Sequence, residues 1–201
     1  MNPGYFSELS LPIVSLPLMV VQTMLLLAAF LIQYQVVFPI ESLFIDPASS
    51  SIVSFVFLPH GVKTILLALT GPAAIIPVFL SQLISDLVLG HTLDYSVISS
   101  FESVIVLIIP LMLLNYMTNN RTLASLRLDM DYNLSLIRIV LALAVMQGLI
   151  NSLIRSGIHE QSGLSLLSFR YLSGDIVGTI LVLGLVILLR THIIMGLRKL
   201  I

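Results

Sequence analysis

The chain has 201 residues, of which 58% are hydrophobic and only 9% are charged. A soluble domain cannot cover its surface with so little polar material, so the composition excludes an ordinary soluble fold and favours an integral protein of the lipid bilayer. The net charge is -1 and no basic tract is present, which argues against nucleic acid as a partner, and the absence of cysteine excludes disulfides and thiolate metal sites.

The N-terminal segment lacks the features of a cleaved signal peptide. Residues 1–16, MNPGYFSELSLPIVSL, contain no lysine or arginine ahead of the first apolar stretch, and no small-residue cleavage site follows them. We therefore expect the first hydrophobic segment to be retained as a membrane span.

Apolar stretches recur six times, and each is about 18 to 23 residues long, enough to cross roughly 30 Å of hydrocarbon as an α-helix. Their lack of alternation argues against the strands of a membrane barrel. The sequence predicts an all-α, polytopic transmembrane helical bundle that forms a single integral membrane domain over residues 1–201. The predicted spans are 17–39, 52–70, 73–90, 97–117, 135–155 and 171–190.

Short polar segments separate the predicted spans. The tripeptide TGP at 70–72 predicts a tight turn between the second and third spans, because glycine and proline are strong breakers of helices. The most polar stretch is 118–133, between spans four and five. Residues 191–201 are predicted to form a short basic tail.

Lysine and arginine set the predicted orientation, because cytoplasmic loops are enriched in both. An even number of spans places the 118–138 region and the tail on one side, so we predict that both termini are cytoplasmic and that the protein lies in the cell inner membrane. The loop flanked by Arg155 and Arg170 is an exception, since it is predicted to face outward. The other basic residues outside the second span are Arg121, Arg127, Arg138, Arg190, Arg198 and Lys199.

Polar residues also occur within the predicted spans, where a charge costs about 2.5–3.5 kcal/mol and needs a partner or water. Lys63 is expected about 16 Å below the outer end of its span at 1.5 Å per residue, and the other charged groups lie closer to that end. Spacings of three or four residues place several of these groups on shared helix faces. We therefore predict an outward-opening cavity that binds a ligand. Its candidate residues are His60, Lys63, Asp86, Glu102, Asn151 and Asp175.

The ionisable residues of this cavity have two alternative roles. In the first, Lys63 and His60 contact an anionic or hydrogen-bonding group of a small molecule, and the carboxylates pair with them or bind a cationic part. In the second, Lys63 with Asp86 or Asp175 only locks helices together. His60 is also more typical of a buried core histidine than of a metal ligand.

Proline and glycine interrupt two of the predicted spans. Pro59 removes a backbone donor and is expected to loosen the second span about one turn upstream. Gly61 allows a neighbour or a ligand to approach the backbone closely. Gly174 and Gly178 are four residues apart, a spacing more typical of helix packing than of a binding loop.

Motifs of familiar enzyme chemistry are missing from the sequence. Neither G-x-S-x-G nor H-E-x-x-H occurs, and HEQSG at 159–163 places a histidine near a serine without an evident orienting partner. The histidines and carboxylates also lack the spacing of metal ligands. The sequence therefore predicts a protein that is not an enzyme and that holds no cofactor.

Two stretches resemble the bacterial membrane-associated sensor (MASE) domains. FLPHGVKTILLALTGPAAIIPVFLSQLI at 57–84 is similar to the early helix, small turn and following helix of that family, and RYLSGDIVGTILVLGLVILL at 170–189 is similar to its closing span. The resemblance implies a sensor of external signals whose output lies in a separate membrane or cytoplasmic protein. The residues that match the family pattern are Pro59, Gly61, Gly71, Gly174, Asp175 and Gly178.

The chain length and the number of predicted helices also resemble the substrate-binding subunits of energy-coupling-factor vitamin transporters, which are six-helix proteins with an outward-opening site. Three functions are therefore open. The first is a non-enzymatic sensory or ligand-binding subunit that signals through a partner protein. The second is a transporter subunit that uses the same cavity, and the third is a structural subunit of a larger membrane complex.

Overall fold

The computed structural model of the protein describes residues 15–44, 54–117, 134–158 and 166–198. All regular secondary structure in these four ranges is helical, which confirms the predicted all-α class. Within the described ranges, five segments are long and apolar enough to cross a membrane, where the sequence predicts six spans. The predictions for the N-terminal segment 1–14, for 118–133 and for HEQSG at 159–163 fall outside the described ranges.

The helices follow the predicted spans closely. α1 comprises Leu16–Ser42 and contains a π-helical turn at Gln33–Val37. The remaining helices are α2 Leu58–Thr70, α3 Ile75–Val88, α4 Leu93–Met117, α5 Leu134–Ile158 and α6 Leu166–Arg198. A 3₁₀ turn connects α2 to α3 without a break, so the second and third predicted spans form one helical segment. α6 continues through most of the predicted tail.

The continuous segment Leu58–Val88 reverses direction at its middle. Nζ of Lys63 donates a hydrogen bond of 2.7 Å to Oε1 of Gln82, 19 residues further along the chain. A straight helix would separate these residues by about 28 Å, so α2 and α3 must be the arms of a hairpin. Its turn contains Gly71 at φ 59°, a left-handed conformation that favours glycine, which confirms the turn predicted at 70–72.

Two buried glutamines hold α1 antiparallel to α2. Oε1 of Gln33 accepts a hydrogen bond of 3.0 Å from the backbone N–H of Leu58, the first residue of α2. At the other end of α2, Nε2 of Gln22 donates a hydrogen bond of 2.9 Å to Oγ1 of Thr70. Because the first N–H groups of a helix have no partner within it, Gln33 acts as a cap for α2.

Glycines bring the backbones of α2 and α6 into contact. A Cβ atom at Gly61 would lie 2.9 Å from Cα of Thr179 and would collide with the carbonyl of Gly178. The N–H of Phe57 donates a hydrogen bond of 3.0 Å to the carbonyl of Gly174. Phe57 pairs with Gly174, and Gly61, four residues later, pairs with Gly178, also four residues later. The residue numbers rise in the same direction on both helices, so α2 and α6 run parallel. The predicted small-residue packing is confirmed, and the close approach at Gly61 is made by a neighbouring helix.

α2 lies at the centre of the bundle. It packs against α1, α4, α5 and α6, and it is buried over most of its length. The apolar core around it includes Leu26, Leu67 and Leu143. Many large apolar side chains of α1, α4 and α6 are exposed instead, which is expected for helices that face lipid.

Pro59 lies in the first turn of α2 and not in the interior of a span. The N–H that proline lacks would have no intrahelical partner at this position, so proline is compatible with the helix start. The prediction that Pro59 loosens the preceding turn is therefore wrong. The position of Lys63 along its helix also differs from the expectation, because Lys63 lies only about 8 Å from the helix start at Leu58.

Substitution of Gly178 by alanine is expected to destabilise the protein, because the added methyl group collides with the backbone carbonyl of Phe57. Overpacking of this kind typically costs about 1–3 kcal/mol. The free energy of unfolding can be measured by titrating the purified variants with SDS in mixed micelles.

Gly184→Ala is the matched control for this experiment. It lies on the same helix, but a Cβ atom there would find nothing within 4 Å. We expect Gly184→Ala to be neutral or slightly stabilising, because alanine has the higher helix propensity. Equal stabilities of the two variants would contradict glycine-mediated packing of α2 on α6.

Candidate functional site

Polar side chains gather around the N-terminal half of α2 and form two groups. The first group joins α2 to α5 and α6, and the second joins α2 to α3 and α4. The histidine cluster consists of His60, Thr64, Gln147, Asn151 and Asp175. The lysine cluster consists of Lys63, Gln82, Asp86 and Ser103.

The carboxylate of Asp175, which is 1% exposed, is the centre of the histidine cluster. Its Oδ1 lies 3.5 Å from Nδ1 of His60, and its Oδ2 accepts a hydrogen bond of 2.8 Å from Nδ2 of Asn151. Contacts on both oxygens hold the carboxylate between α2, α5 and α6. Because Nδ1 faces a carboxylate, the proton of a neutral His60 ring belongs on Nδ1, and Nε2 carries the lone pair.

Thr64 and Gln147 extend the histidine cluster along α2. Oγ1 of Thr64 lies 2.6 Å from Oε1 of Gln147 and 3.0 Å from the backbone carbonyl of His60 in the preceding turn. Gln147 and Asn151 are four residues apart on α5, so their amides share one helix face. The cluster therefore presents two amides, a hydroxyl, an imidazole and a carboxylate to one another.

The ammonium group of Lys63, whose side chain is almost fully buried, is the centre of the lysine cluster. Nζ donates hydrogen bonds of 2.7 Å to Oε1 of Gln82 and 2.6 Å to Oγ of Ser103. Nε2 of Gln82 in turn donates a hydrogen bond of 3.0 Å to Oδ1 of Asp86. Nζ also lies 5.1 Å from the ring centre of Phe30, within the range of a cation–π interaction. One amide thus connects a buried cation to a buried carboxylate.

The structure places five of the six predicted site residues in these clusters. His60 and Lys63 are one turn apart on α2, but they contact different helices, so the predicted residues form two groups that share α2. Glu102 is half-buried on α4 next to Ser103. Arg155 belongs to α5, and its side chain falls outside the described residues. The clustered site residues are His60, Lys63, Asp86, Asn151 and Asp175.

Sequence reasoning missed two hydroxyls that complete the clusters. Thr64 follows His60 by four residues, and this spacing could have placed it on the same helix face. Ser103 gives no comparable signal, because serine is tolerated within helices wherever its hydroxyl can bond to the preceding turn. Ser103 contacts the ammonium group of Lys63 directly, whereas Thr64 contacts the amide of Gln147 and the backbone carbonyl of His60.

Glu41, at the end of α1, anchors the segment that leads into α2. Its Oε1 accepts hydrogen bonds from Oγ of Ser54 at 2.8 Å and from the N–H groups of Phe55 at 3.0 Å and Val56 at 3.1 Å. The guanidinium of Arg170 on α6 lies 5.0 Å from the ring centre of Phe55. The segment is therefore fixed against α6 next to the histidine cluster.

Three buried atoms of the clusters have no hydrogen-bond partner among the described residues: Nε2 of His60, Nε2 of Gln147 and Oδ2 of Asp86. An unsatisfied buried polar group costs about 1–3 kcal/mol, so such groups are normally paired with protein, water or a ligand. The clusters thus offer donor and acceptor capacity that these residues do not use among themselves. Within the same ranges, no three histidine or acidic side chains come together as metal ligands would.

Comparison with known proteins finds no relative: the chain matches no protein-family model, and no curated protein or solved structure shows significant similarity to it. The resemblance to membrane-associated sensor domains stays a prediction. What the clusters can bind is therefore inferred from their own geometry.

Replacement of Lys63 by methionine is expected to destabilise the protein, because it removes the cation that reaches the buried carboxylate of Asp86 through Gln82. Leaving a buried polar group such as the Gln82 amide oxygen without its donor costs about 1–3 kcal/mol, and more where a charged group is involved. Adding Asp86→Asn should recover part of this loss. The double variant should then be more stable than the sum of the single effects by about 0.5–3 kcal/mol.

The matched control combines Lys63→Met with Asp94→Asn. Asp94 is exposed in the first turn of α4, away from the lysine cluster, so these two effects should add. Each pair of substitutions forms a double-mutant cycle of wild type, two single variants and the double variant. SDS titrations in mixed micelles give the four unfolding free energies of each cycle. Additive losses in both cycles would show that Lys63 and Asp86 are not coupled.

Proposed function

We propose that the protein is a non-enzymatic integral membrane subunit that binds a small molecule at its two polar clusters and reports this binding to a separate partner protein. The observation that carries the proposal is the unused hydrogen-bonding capacity of buried atoms in both clusters. Buried atoms without a hydrogen-bond partner among the described residues also occur at Gln22, Gln33 and Arg170, but those of the clusters include an imidazole nitrogen and a carboxylate oxygen. Atoms that still need a partner favour a site where another molecule completes the set.

The dimensions of α4 support a position across a lipid bilayer. Tyr95 and Tyr116 lie near its two ends, and both are exposed. They are separated by about 32 Å along the helix, close to the roughly 30 Å thickness of the hydrocarbon core. Tyrosine is enriched at the two membrane–water interfaces, so this pair fits the two surfaces of one bilayer.

The hairpin of α2 and α3 supports the proposed topology. A single span over Leu58–Val88 would give five crossings and would place the termini on opposite sides. A hairpin returns the chain to the side of the membrane from which it entered. This holds both when the two arms cross the bilayer fully and when the tip stays within it. Its arms of 13 and 14 residues are only about 20 Å long, which favours a tip within the bilayer.

Both termini then share one side of the membrane. The distribution of lysine and arginine favours the cytoplasm for that side, and the bacterial inner membrane for the location. α2 enters from the opposite side, so the two clusters near its start would lie in the outer half of the bundle. A ligand would therefore arrive from outside the cell.

The chemistry of the clusters suggests the kind of molecule that they bind. His60 and Lys63 would contact an anionic or hydrogen-bonding group. Asp86 and Asp175 would pair with these two residues or contact a cationic group of the ligand. A small polar molecule with both kinds of group suits this set best.

The two resemblances of the sequence favour different uses of the same site. The likeness to membrane-associated sensor domains favours a signal passed to a partner protein. The likeness to transporter substrate-binding subunits favours a transported solute. A structural subunit would bind no small molecule, so identifying what the purified protein carries separates these functions.

The topology is tested with single-cysteine variants, which give no background because the natural chain has no cysteine. In bacterial spheroplasts, a membrane-impermeant maleimide should label Thr92→Cys, between α3 and α4, from outside. Met117→Cys, at the other end of α4, should react only after permeabilisation. Pro72→Cys, at the hairpin tip, should stay unlabelled in both conditions. Labelling of Thr92→Cys and Met117→Cys from the same side would contradict a spanning α4.

Ligand binding is tested by native mass spectrometry of the protein purified in mild detergent. Wild-type protein should carry a small molecule of reproducible mass, and the bound fraction should fall at least severalfold in Asp175→Asn and in Lys63→Met, because each removes a charge from a cluster. The control Asp94→Asn should retain the wild-type fraction. Equal bound fractions in all four proteins would contradict the proposed site. The identity of any protein that co-purifies would show whether the partner is a signalling enzyme or a transport ATPase.

A further inference from the structure

The polar atoms of the histidine cluster are closed off from water. Thr64 and Gln147 are fully buried, and Asp175 is 1% exposed. A molecule that arrives from outside the bundle can therefore reach the cluster only after part of the structure moves aside. α2, α5 and α6 are each held together by their own backbone hydrogen bonds. The segment ahead of α2, residues 54–57, differs from them because it has no regular secondary structure.

Residues 54–57, which we call the strap, lie directly against the part of α6 that carries Asp175. The N–H of Phe57 donates a hydrogen bond of 3.0 Å to the carbonyl of Gly174, the residue before Asp175. A Cβ atom at Gly174 would also collide with the carbonyl of Ser54. Because α2 and α6 run parallel, the strap lies on the N-terminal side of the cluster on both helices.

A single carboxylate oxygen of α1 holds the strap in this place. Oε1 of Glu41 accepts a hydrogen bond of 2.8 Å from Oγ of Ser54. The same atom accepts hydrogen bonds from the N–H groups of Phe55 at 3.0 Å and of Val56 at 3.1 Å. Buried backbone N–H groups that belong to no helix or sheet need another acceptor. The strap is thus clamped between Glu41 and the backbone of α6.

The strap also contains a turn of its own. Oγ of Ser54 lies 2.6 Å from the carbonyl oxygen of Val56, and the N–H of Val56 lies 3.1 Å from the same Oγ. The hydroxyl of Ser54 has one hydrogen, for which the oxygens of Glu41 and Val56 are both acceptors. If Glu41 withdraws, this hydrogen keeps an acceptor within the strap. The strap can therefore leave its place as one unit.

We propose that the strap is a gate over the histidine cluster and that Glu41 is the latch that holds it closed. In the closed state, the carboxylate of Glu41 fixes the strap against α6 and seals the cluster. When the carboxylate leaves, the strap moves away from Gly174, and a small polar molecule reaches His60 and Asp175. No covalent bond forms or breaks. The gate rests on the proposed function, because it regulates access to the same site.

Reaction of a buried thiol measures the opening of the gate without any ligand. Since the natural chain has no cysteine, Thr64→Cys places a single thiol in the histidine cluster. The full chain is held in lipid nanodiscs, the permanently charged reagent (trimethylammonio)ethyl methanethiosulfonate is added, and intact-mass spectrometry follows the rate of modification. Glu41→Ala should raise this rate at least about tenfold, because hydrogen bonds to a charged acceptor favour the closed state by at least this factor.

Matched variants separate release of the strap from general loosening. Ser42→Ala, next to Glu41, removes a hydroxyl that bonds to the Pro39 carbonyl of its own helix, so it should leave the rate unchanged. A thiol at Ser81→Cys is buried on α3 outside the histidine cluster, and its rate should be the same with and without Glu41→Ala. Glu41→Gln keeps an acceptor oxygen but loses the charge. It should give an intermediate rate, and it tests the latch even if Glu41→Ala fails to fold.

The gate and the proposed function fail in different ways. A Thr64→Cys rate that neither substitution of Glu41 changes overturns the gate. Equal acceleration at Thr64→Cys and Ser81→Cys overturns it as well, because the whole bundle then loosens. A gate that opens as expected in a protein that carries no small molecule in native mass spectrometry contradicts the proposed function alone.

Discussion

The backbone contact between α2 and α6 is the constraint on which the rest of the bundle depends. Gly61 and Gly178 have no side chains, so the two helices approach until His60 meets Asp175. Within a bilayer there is little hydrophobic force between helices, and their association relies on close packing and on interhelical hydrogen bonds. The glycine contact and the histidine cluster are therefore parts of one interface. Packing sets the separation of the helices, and the polar groups set their alignment.

The reversal at Gly71 extends the same arrangement to the other side of α2. Only a chain that turns back can bring Gln82 beside Lys63, and α4 then follows to add Ser103. The start of α2 consequently contacts every neighbouring helix through a polar group. Each contact satisfies a group that would otherwise be costly in hydrocarbon, and together they leave α2 little freedom to rotate or slide.

Helix positions were largely predictable from the sequence, because the thickness of a bilayer fixes how long an apolar stretch must be. Five of the six candidate residues lie in the polar clusters for a related reason, since ionisable residues within such stretches are rare. The distance of Lys63 from the start of its helix was not predictable, because residues 55–57 are as apolar as α2 itself and give no sign that the helix starts at Leu58. The pairing of His60 with Asp175 depends on the parallel packing of α2 and α6, which a single sequence does not reveal.

The π-helical turn of α1 determines the relative directions of two side chains. Along a regular α-helix, Glu41 would point about 80° away from Gln33, because the eight residue steps from Gln33 to Glu41 exceed two full turns by that angle. A π-helical turn needs more residues per revolution, so the turn at Gln33–Val37 rotates Glu41 back toward the side of Gln33. Both side chains can then reach the same stretch of chain ahead of and into α2. The turn therefore corrects the rotation of Glu41 about the helix axis relative to Gln33. Loss of one residue there would rotate the carboxylate of Glu41 away from the backbone N–H groups that it accepts from, while Gln33 would keep its hydrogen bond with Leu58.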